Sequence, residues 1–184
     1  MTLPTSIKNG VTGDRITFLL SPMSGDGDLL AFRCTLPPHG DGTPLHVHDD
    51  MTESFVVERG SLLVDLGPAG NITLSEGQEI SIAPGTPHGF RNETDGEVVF
   101  VTTATPGEGL ETFLRTIYAL ANEGMVNAKG MPRDPRALAF LLDRGNLLLA
   151  GVPHIVQRLV TFMLRGVARL TRYERRLDLM VRGS

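Results

Sequence analysis

Up to about position 104 the apolar residues come in short runs separated by turn chemistry. Runs at 16–20, 29–36, 54–58, 62–66, 72–74, 79–82, 88–91 and 98–102 predict strands. The segments between them include Ser-Gly-Asp-Gly-Asp at 24–28, Pro-Pro-His-Gly-Asp-Gly at 37–42, Gly-Pro-Ala-Gly-Asn at 67–71 and Pro-Gly-Thr-Pro at 84–87. They supply glycine and proline where the chain must reverse. Evenly spaced short strands of this kind point to an all-β sandwich or barrel. After Pro106 the period changes. Leu110, Phe113, Leu114, Ile117, Tyr118 and Ala121 form one apolar stripe of a helix ending near Gly124. Asp134 followed by Pro135 is an N-cap and a first helical position, opening a second helix to about Asp143. A third helix is predicted from near Pro153 to about Arg172 or beyond. The expected organisation is a β-barrel over 1–105 and a helical extension over 106–184, packed on the barrel or on a second subunit.

Composition narrows the class. With 184 residues, 41% of them hydrophobic and 21% charged, the chain can bury a core without help from cross-links. The single cysteine, Cys34, excludes an internal disulfide framework and any Cys-rich zinc module. Charge is uneven: residues 1–105 carry 5 basic and 14 acidic side chains, 106–152 carry 5 and 5, and 153–184 carry 7 and 2. An acidic first half cannot cradle phosphates, so nucleic acid is not an expected partner. No secretory signal is legible in 1–9. The longest charge-free apolar stretch near the end, 145–157, has 13 residues and contains Pro153, whereas a membrane span needs about 20. A cytoplasmic protein without integral membrane association is expected.

The candidate chemistry lies among the strands, in Gly40-x5-His46-x-His48-x4-Glu53-x6-Gly60. Two residues apart on an extended chain, His46 and His48 point the same way. Asp49, Asp50 and Met51 read as a turn that lets the next strand return the Glu53 carboxylate toward them. Imidazole with carboxylate suits Fe, Mn, Ni, Co or Zn rather than Ca or Mg. His88 is the best fourth ligand, because the rigid Ala83-Pro84-Gly85-Thr86-Pro87 turn aims it.

The first segment resembles cupin motif 1, Gly-x5-His-x-His-x3-4-Glu-x6-Gly, at every named position. The second, from Gly77 to Asn92, resembles cupin motif 2, Gly-x5-Pro-x-Gly-x2-His-x3-Asn. Gly77, Gly85, His88 and Asn92 match; Ala83 holds the usual proline position and Pro84 is displaced by one. The resemblance covers about residues 28–104. It implies a mainly β fold, a cupin jelly-roll β-barrel, here with a C-terminal α-helical extension. It also implies one divalent transition metal on His46, His48, Glu53 and His88, with coordination positions left for water or substrate. Strand parity from Glu53 and His88 would turn Phe55, Val57, Phe90 and Asn92 into the pocket. Arg33 would face a carboxylate substrate if inward and be a surface charge if outward. The implied activity is a dioxygenase-like oxidoreductase or an isomerase acting on a small organic molecule; the alternative is a non-catalytic ligand-binding or sensing module. No general base stands out beyond Glu53, which lowers the case for hydrolysis.

The arginines of the tail, Arg158, Arg165, Arg169, Arg172, Arg175 and Arg176, interleave with Leu159, Phe162, Met163, Val167 and Leu170. Such a basic amphipathic helix suits an anionic membrane surface or docking on an acidic barrel or second subunit, and docking is the favoured reading. The apolar faces of the first helix and the tail exceed what one small barrel needs, so a homodimer is expected.

Overall fold

The structure is a computed structural model that describes residues 3–149 and 153–183. Among the described residues the β part contains β1 (Ser6–Lys8), β2 (Arg15–Leu20), β3 (Leu30–Leu36), β4 (Thr43–His48), β5 (Thr52–Arg59), β6 (Ser61–Asp65), β7 (Asn71–Ser75), β8 (Glu79–Ile82), β9 (His88–Arg91) and β10 (Val98–Thr105). Then follow α1 (Glu108–Asn122), α2 (Pro135–Arg144), β11 (Leu147–Leu149), α3 (His154–Leu170) and α4 (Tyr173–Gly183). The strands form two antiparallel sheets, ordered β1-β2-β3-β10-β5-β8 and β11-β4-β9-β6-β7. Consecutive strands repeatedly cross from one sheet to the other, as in a jelly roll.

Alternation sets the two faces. On β5, Glu53, Phe55 and Val57 are buried. On β10, Val98, Phe100, Thr102 and Ala104 are buried while the residues between them are half-buried. On β3 the inward residues are Phe32, Cys34 and Leu36, which turns Arg33 outward. There it makes a two-pronged ion pair with Glu58 at 2.6 and 2.9 Å. Of the two orientations open to Arg33, the outward one is found, so it does not line the pocket: the parity set by its apolar neighbours makes it a surface charge.

The helices are built on this barrel. Leu110 and Tyr118 of α1 belong to the same core as Ile16, Phe32 and Phe100, and Phe113, Leu114 and Ile117 pack against it. A second core, with Leu120, Phe140, Leu141, Ala168, Tyr173 and Leu177, joins all four helices. As expected, the Asp134 side chain caps α2 by accepting from the Arg136 backbone N–H at 2.8 Å, with Pro135 in the first turn. Two features depart from expectation. The last helix is two helices, broken where Arg172 adopts a φ of 55°. And β11, from within the extension, is an edge strand of the second sheet, with Leu147 opposite His48 and Leu149 opposite His46. Asn146, at a φ of 48°, makes the turn from α2 into it.

Candidate metal centre

Three neighbouring elements bring the candidate ligands together. β4 carries His46 and His48 on its inner face, and β9, paired with it, places His88 directly opposite His46. Glu53 enters from β5 in the facing sheet. His88 follows a turn in which Gly85, at a φ of 79°, donates its backbone N–H to the His48 carbonyl at 2.8 Å. Any side chain other than glycine is strained at that φ. All four residues are buried, and one ligating atom from each lies within 4.8 Å of the others.

The orientation of each imidazole is fixed from behind. His46 Nδ1 contacts the Pro44 carbonyl at 2.8 Å, His88 Nδ1 the Thr86 carbonyl at 2.9 Å, and His48 Nδ1 the Asn146 carbonyl at 3.1 Å. A carbonyl only accepts, so each Nδ1 carries the proton and each Nε2 of a neutral ring presents a lone pair. The Nε2 atoms of His46 and His48 lie 3.2 Å apart, and His88 Nε2 lies 2.9 Å from Glu53 Oε2. Burial, with the neighbouring imidazoles adding to it, pushes the His46 pKa down to about 3. Burial also lowers His48. Burial opposes protonation of His88 too, but the hydrogen bond and charge of Glu53 outweigh it and raise its pKa. Two inward lone pairs at 3.2 Å repel unless a cation lies between them. The donor set, three imidazole nitrogens and one carboxylate, all buried, fits a divalent transition metal.

The centre opens into a cavity of about 200 Å³. Its walls are Ile16, Phe32 and Leu36 from the barrel and Leu110, Phe113 and Ile117 from α1. Phe90 lines it as well. Phe55 and Val57 are fully buried in the core behind; Phe55 packs its ring 6.3 Å from that of His88 and 5.4 Å from that of Phe90. Asn92 is buried but does not serve the pocket. Its amide donates to the Pro37 and Gly96 carbonyls, both at 2.7 Å, and its oxygen accepts from the Thr94 backbone at 2.9 Å. β9 ends at Arg91, so the alternation counted from His88 stops before Asn92, which instead holds a loop together.

Two polar groups of the cavity were not legible in the sequence. Tyr118 donates its hydroxyl to the Asp14 carboxylate, and Thr12 donates to the same group. Burial raises the Asp14 carboxyl above its ordinary value, offset in part by the hydrogen bond from Thr12. Cys34 also lines the cavity, but burial and the nearby Asp14 charge push its thiol up, which leaves it a poor nucleophile. The stripe of α1 predicts a helix, yet nothing in its spacing tells that the stripe roofs the barrel mouth.

The cupin domain family matches residues 32–104. No curated protein matches the chain. Among solved structures, the chain is similar to a sugar phosphate isomerase of the cupin superfamily from Silicibacter pomeroyi, at 22% identity and a TM-score of 0.47, over 52% of this chain and 60% of that one. It is similar to the polyketide cyclase RemF from Streptomyces resistomycificus at 23% identity and a TM-score of 0.47, over 58% and 70% of the two chains. A cupin-like protein from Thermotoga maritima aligns at 20% identity and a TM-score of 0.47, over 51% and 69%. No described helix is long and apolar enough to cross a membrane. With both motifs in place on two facing antiparallel sheets, residues 32–104 of this chain are a cupin domain.

Proposed function

We propose that the chain is a mononuclear-metal cupin that takes a small, largely apolar organic molecule into the chamber between barrel and α1. The observation that carries this reading is the set of three imidazoles, each anchored through Nδ1 and turned with Glu53 toward one point. His46, His48, Glu53 and His88 would hold the ion, which when bound supplies Lewis acidity and, if it is iron, access to O2. The residues of the chain do the rest. Ile16, Phe32, Leu110, Phe113 and Ile117 exclude water and select an apolar body. The Asp14–Tyr118 pair offers the ligand a second polar contact. Lys129 is the one cationic residue lining the chamber among the described residues, and it is exposed. Beyond the ion itself, a phosphorylated or dianionic substrate would therefore find no buried counter-charge among the lining side chains, and an uncharged or singly charged oxygen-bearing molecule fits better.

Dioxygenase-like oxidation is the favoured reaction, with isomerisation next. The test is metal analysis of protein purified without added metal or chelator, then oxygen uptake by anaerobically iron-loaded protein offered catechols, flavonols or 1,3-diketones. Expected are about one ion per chain, its loss in His46→Gln and Glu53→Gln, and oxygen consumption with at least one substrate class. A chain that binds no metal stoichiometrically sinks the reading. Metal retained, with ligand-induced thermal stabilisation and no turnover, would favour the non-catalytic binding module instead.

A further inference from the structure

α3 meets the rest of the chain with one side and leaves the other bare. Gln157 and Ala168 are buried and Thr161, Leu164 and Arg165 half-buried, all on one face. The opposite face carries Ile155 (79% exposed), Leu159 (60%), Phe162 (80%) and Met163 (55%), flanked by Val156, Val160 and Val167 at 43–51%. At 3.6 residues per turn these seven positions form one continuous stripe. Together they show on the order of 700 Å² of apolar surface, more than the ~300–600 Å² of the largest patch on a typical monomer. That is close to the ~800 Å² each partner contributes to a standard interface. Beside the ridge lies a groove of about 700 Å³, whose walls include Leu142, Leu147 and Leu148.

We propose that this face joins two copies of the chain through an antiparallel α3–α3 crossing. Two observations choose a second copy over a lipid surface. First, the arginines of α3 are already engaged: Arg158 with Asp49, Arg165 with Asp143 and Glu174, and Arg169 with Glu174. Each guanidinium of α3 thus has an acidic partner within its own chain, which lessens both repulsion between copies and the pull of phosphate headgroups on this helix. Second, Gly166 sits on the stripe one turn after Phe162, and a Cβ added there would meet nothing within 4 Å. A glycine inside a helix is destabilising relative to alanine. No neighbour among the described residues requires it, whereas a close helix crossing would. A two-fold axis between positions 162 and 166 seats each copy's Phe162 over the other's Gly166, so that the contact is its own complement. α3 also braces the site from outside. The Gln157 side chain donates to the Leu149 carbonyl at 2.8 Å and accepts from its N–H at 2.9 Å, holding β11 against the strand that bears His46 and His48.

The test is sedimentation equilibrium and light scattering of the full chain at micromolar concentration. The wild type is expected at twice 19.9 kDa. Phe162→Asp is expected to run as a monomer with an unchanged circular dichroism spectrum, because that ring supports little in its own chain. Gly166→Leu is expected to weaken association by about tenfold or more, since the added side chain overpacks the crossing. A monomeric wild type overturns the proposal, as does a dimer that persists in both variants. A wild type that stays monomeric and pellets with phosphatidylserine vesicles, in a manner abolished by Phe162→Asp, overturns it in favour of lipid.

Discussion

The ion pair that fastens α1 to the barrel yields a sharp stability prediction. Glu111 is 0% exposed and Arg115 4%. The carboxylate accepts from Ser21 Oγ at 2.6 Å, the Met23 N–H at 3.1 Å and Arg115 Nε at 2.8 Å. Arg115 in turn donates to the Pro4 carbonyl at 2.8 Å and lies 3.8 Å above the Phe18 ring. Arg115→Met keeps most of the side-chain volume but strands a buried carboxylate with two neutral donors. Breaking a buried pair by removing one partner costs about 3–5 kcal/mol, most of it the uncompensated charge. Replacing both members, Glu111→Gln with Arg115→Met, removes that charge and leaves only lost hydrogen bonds, each worth about 0.5–1.5 kcal/mol. The double variant is therefore expected to be more stable than Arg115→Met alone, by about 2 kcal/mol. Urea unfolding followed by circular dichroism measures both, with equal m-values required for the comparison. If Arg115→Met costs under ~1 kcal/mol, or the double variant is no better than the single one, the charge of Glu111 is solvated and the account of how α1 is held is wrong.

Three further outcomes are expected. In metal-free protein, His46 is neutral in the folded state down to a pKa of about 3, against 6.5 unfolded. Stability should therefore fall as pH drops below 6.5, and this residue alone should cost ~2 kcal/mol at pH 5. His48 acts in the same direction and His88, whose pKa is raised, in the opposite one. A His46→Gln variant with the same pH slope as wild type in chelator-treated denaturation would refute this. Ile117→Trp should fill the chamber and abolish ligand-induced stabilisation while one metal per chain remains, at a stability cost of ~1–3 kcal/mol; metal analysis and thermal shift read the two separately. Gln157→Leu should leave both polar groups of Leu149 unpaired, costing roughly 1–3 kcal/mol and speeding amide exchange over 147–149.

How much of this was legible beforehand depended on whether a signal was local. Strands with apolar inner faces, such as β5 and β10, announce themselves by alternation, and α2 by its Asp-Pro start. β4 does not, because the inward residues near its end are histidines rather than hydrophobes; the spacing of His46 and His48 identified it as a ligand segment and not as a strand. β11 is three leucines, a run that fits a helix, a strand or a loop equally, and only its pairing with β4 decides. The break between α3 and α4 falls at Thr171 and Arg172, where neither glycine nor proline marks a stop. The tail is the instructive case. Its periodicity correctly predicts an amphipathic helix, and the ordinary expectation is that the apolar side faces inward. Here Arg165 lies between Asp143 and Glu174 on the inner side, while Phe162 points to solvent. A hydrophobic pattern reports that a face will be covered, but not by which chain.

The placement of β11 changes what the extension is for. Of the three carbonyls that orient the histidines, Pro44 and Thr86 belong to the barrel's own strand and turn. The third, Asn146, comes from the connection between α2 and β11. Without that connection, which also brings the Gly145 carbonyl near the ring, His48 Nδ1 would have no fixed acceptor, and the tautomer that turns Nε2 toward Glu53 would lose its preference. The same segment closes the sheet edge beside β4, and α1 roofs the chamber that the strands leave open. The residues that could hold a metal are thus written within 46–88, but their orientation and the shape of the cavity above them depend on residues from 110 to 149. A reading of this protein from its motif region alone would recover the ligand set and miss both the wall that selects a ligand and the carbonyl that aims one of the three imidazoles.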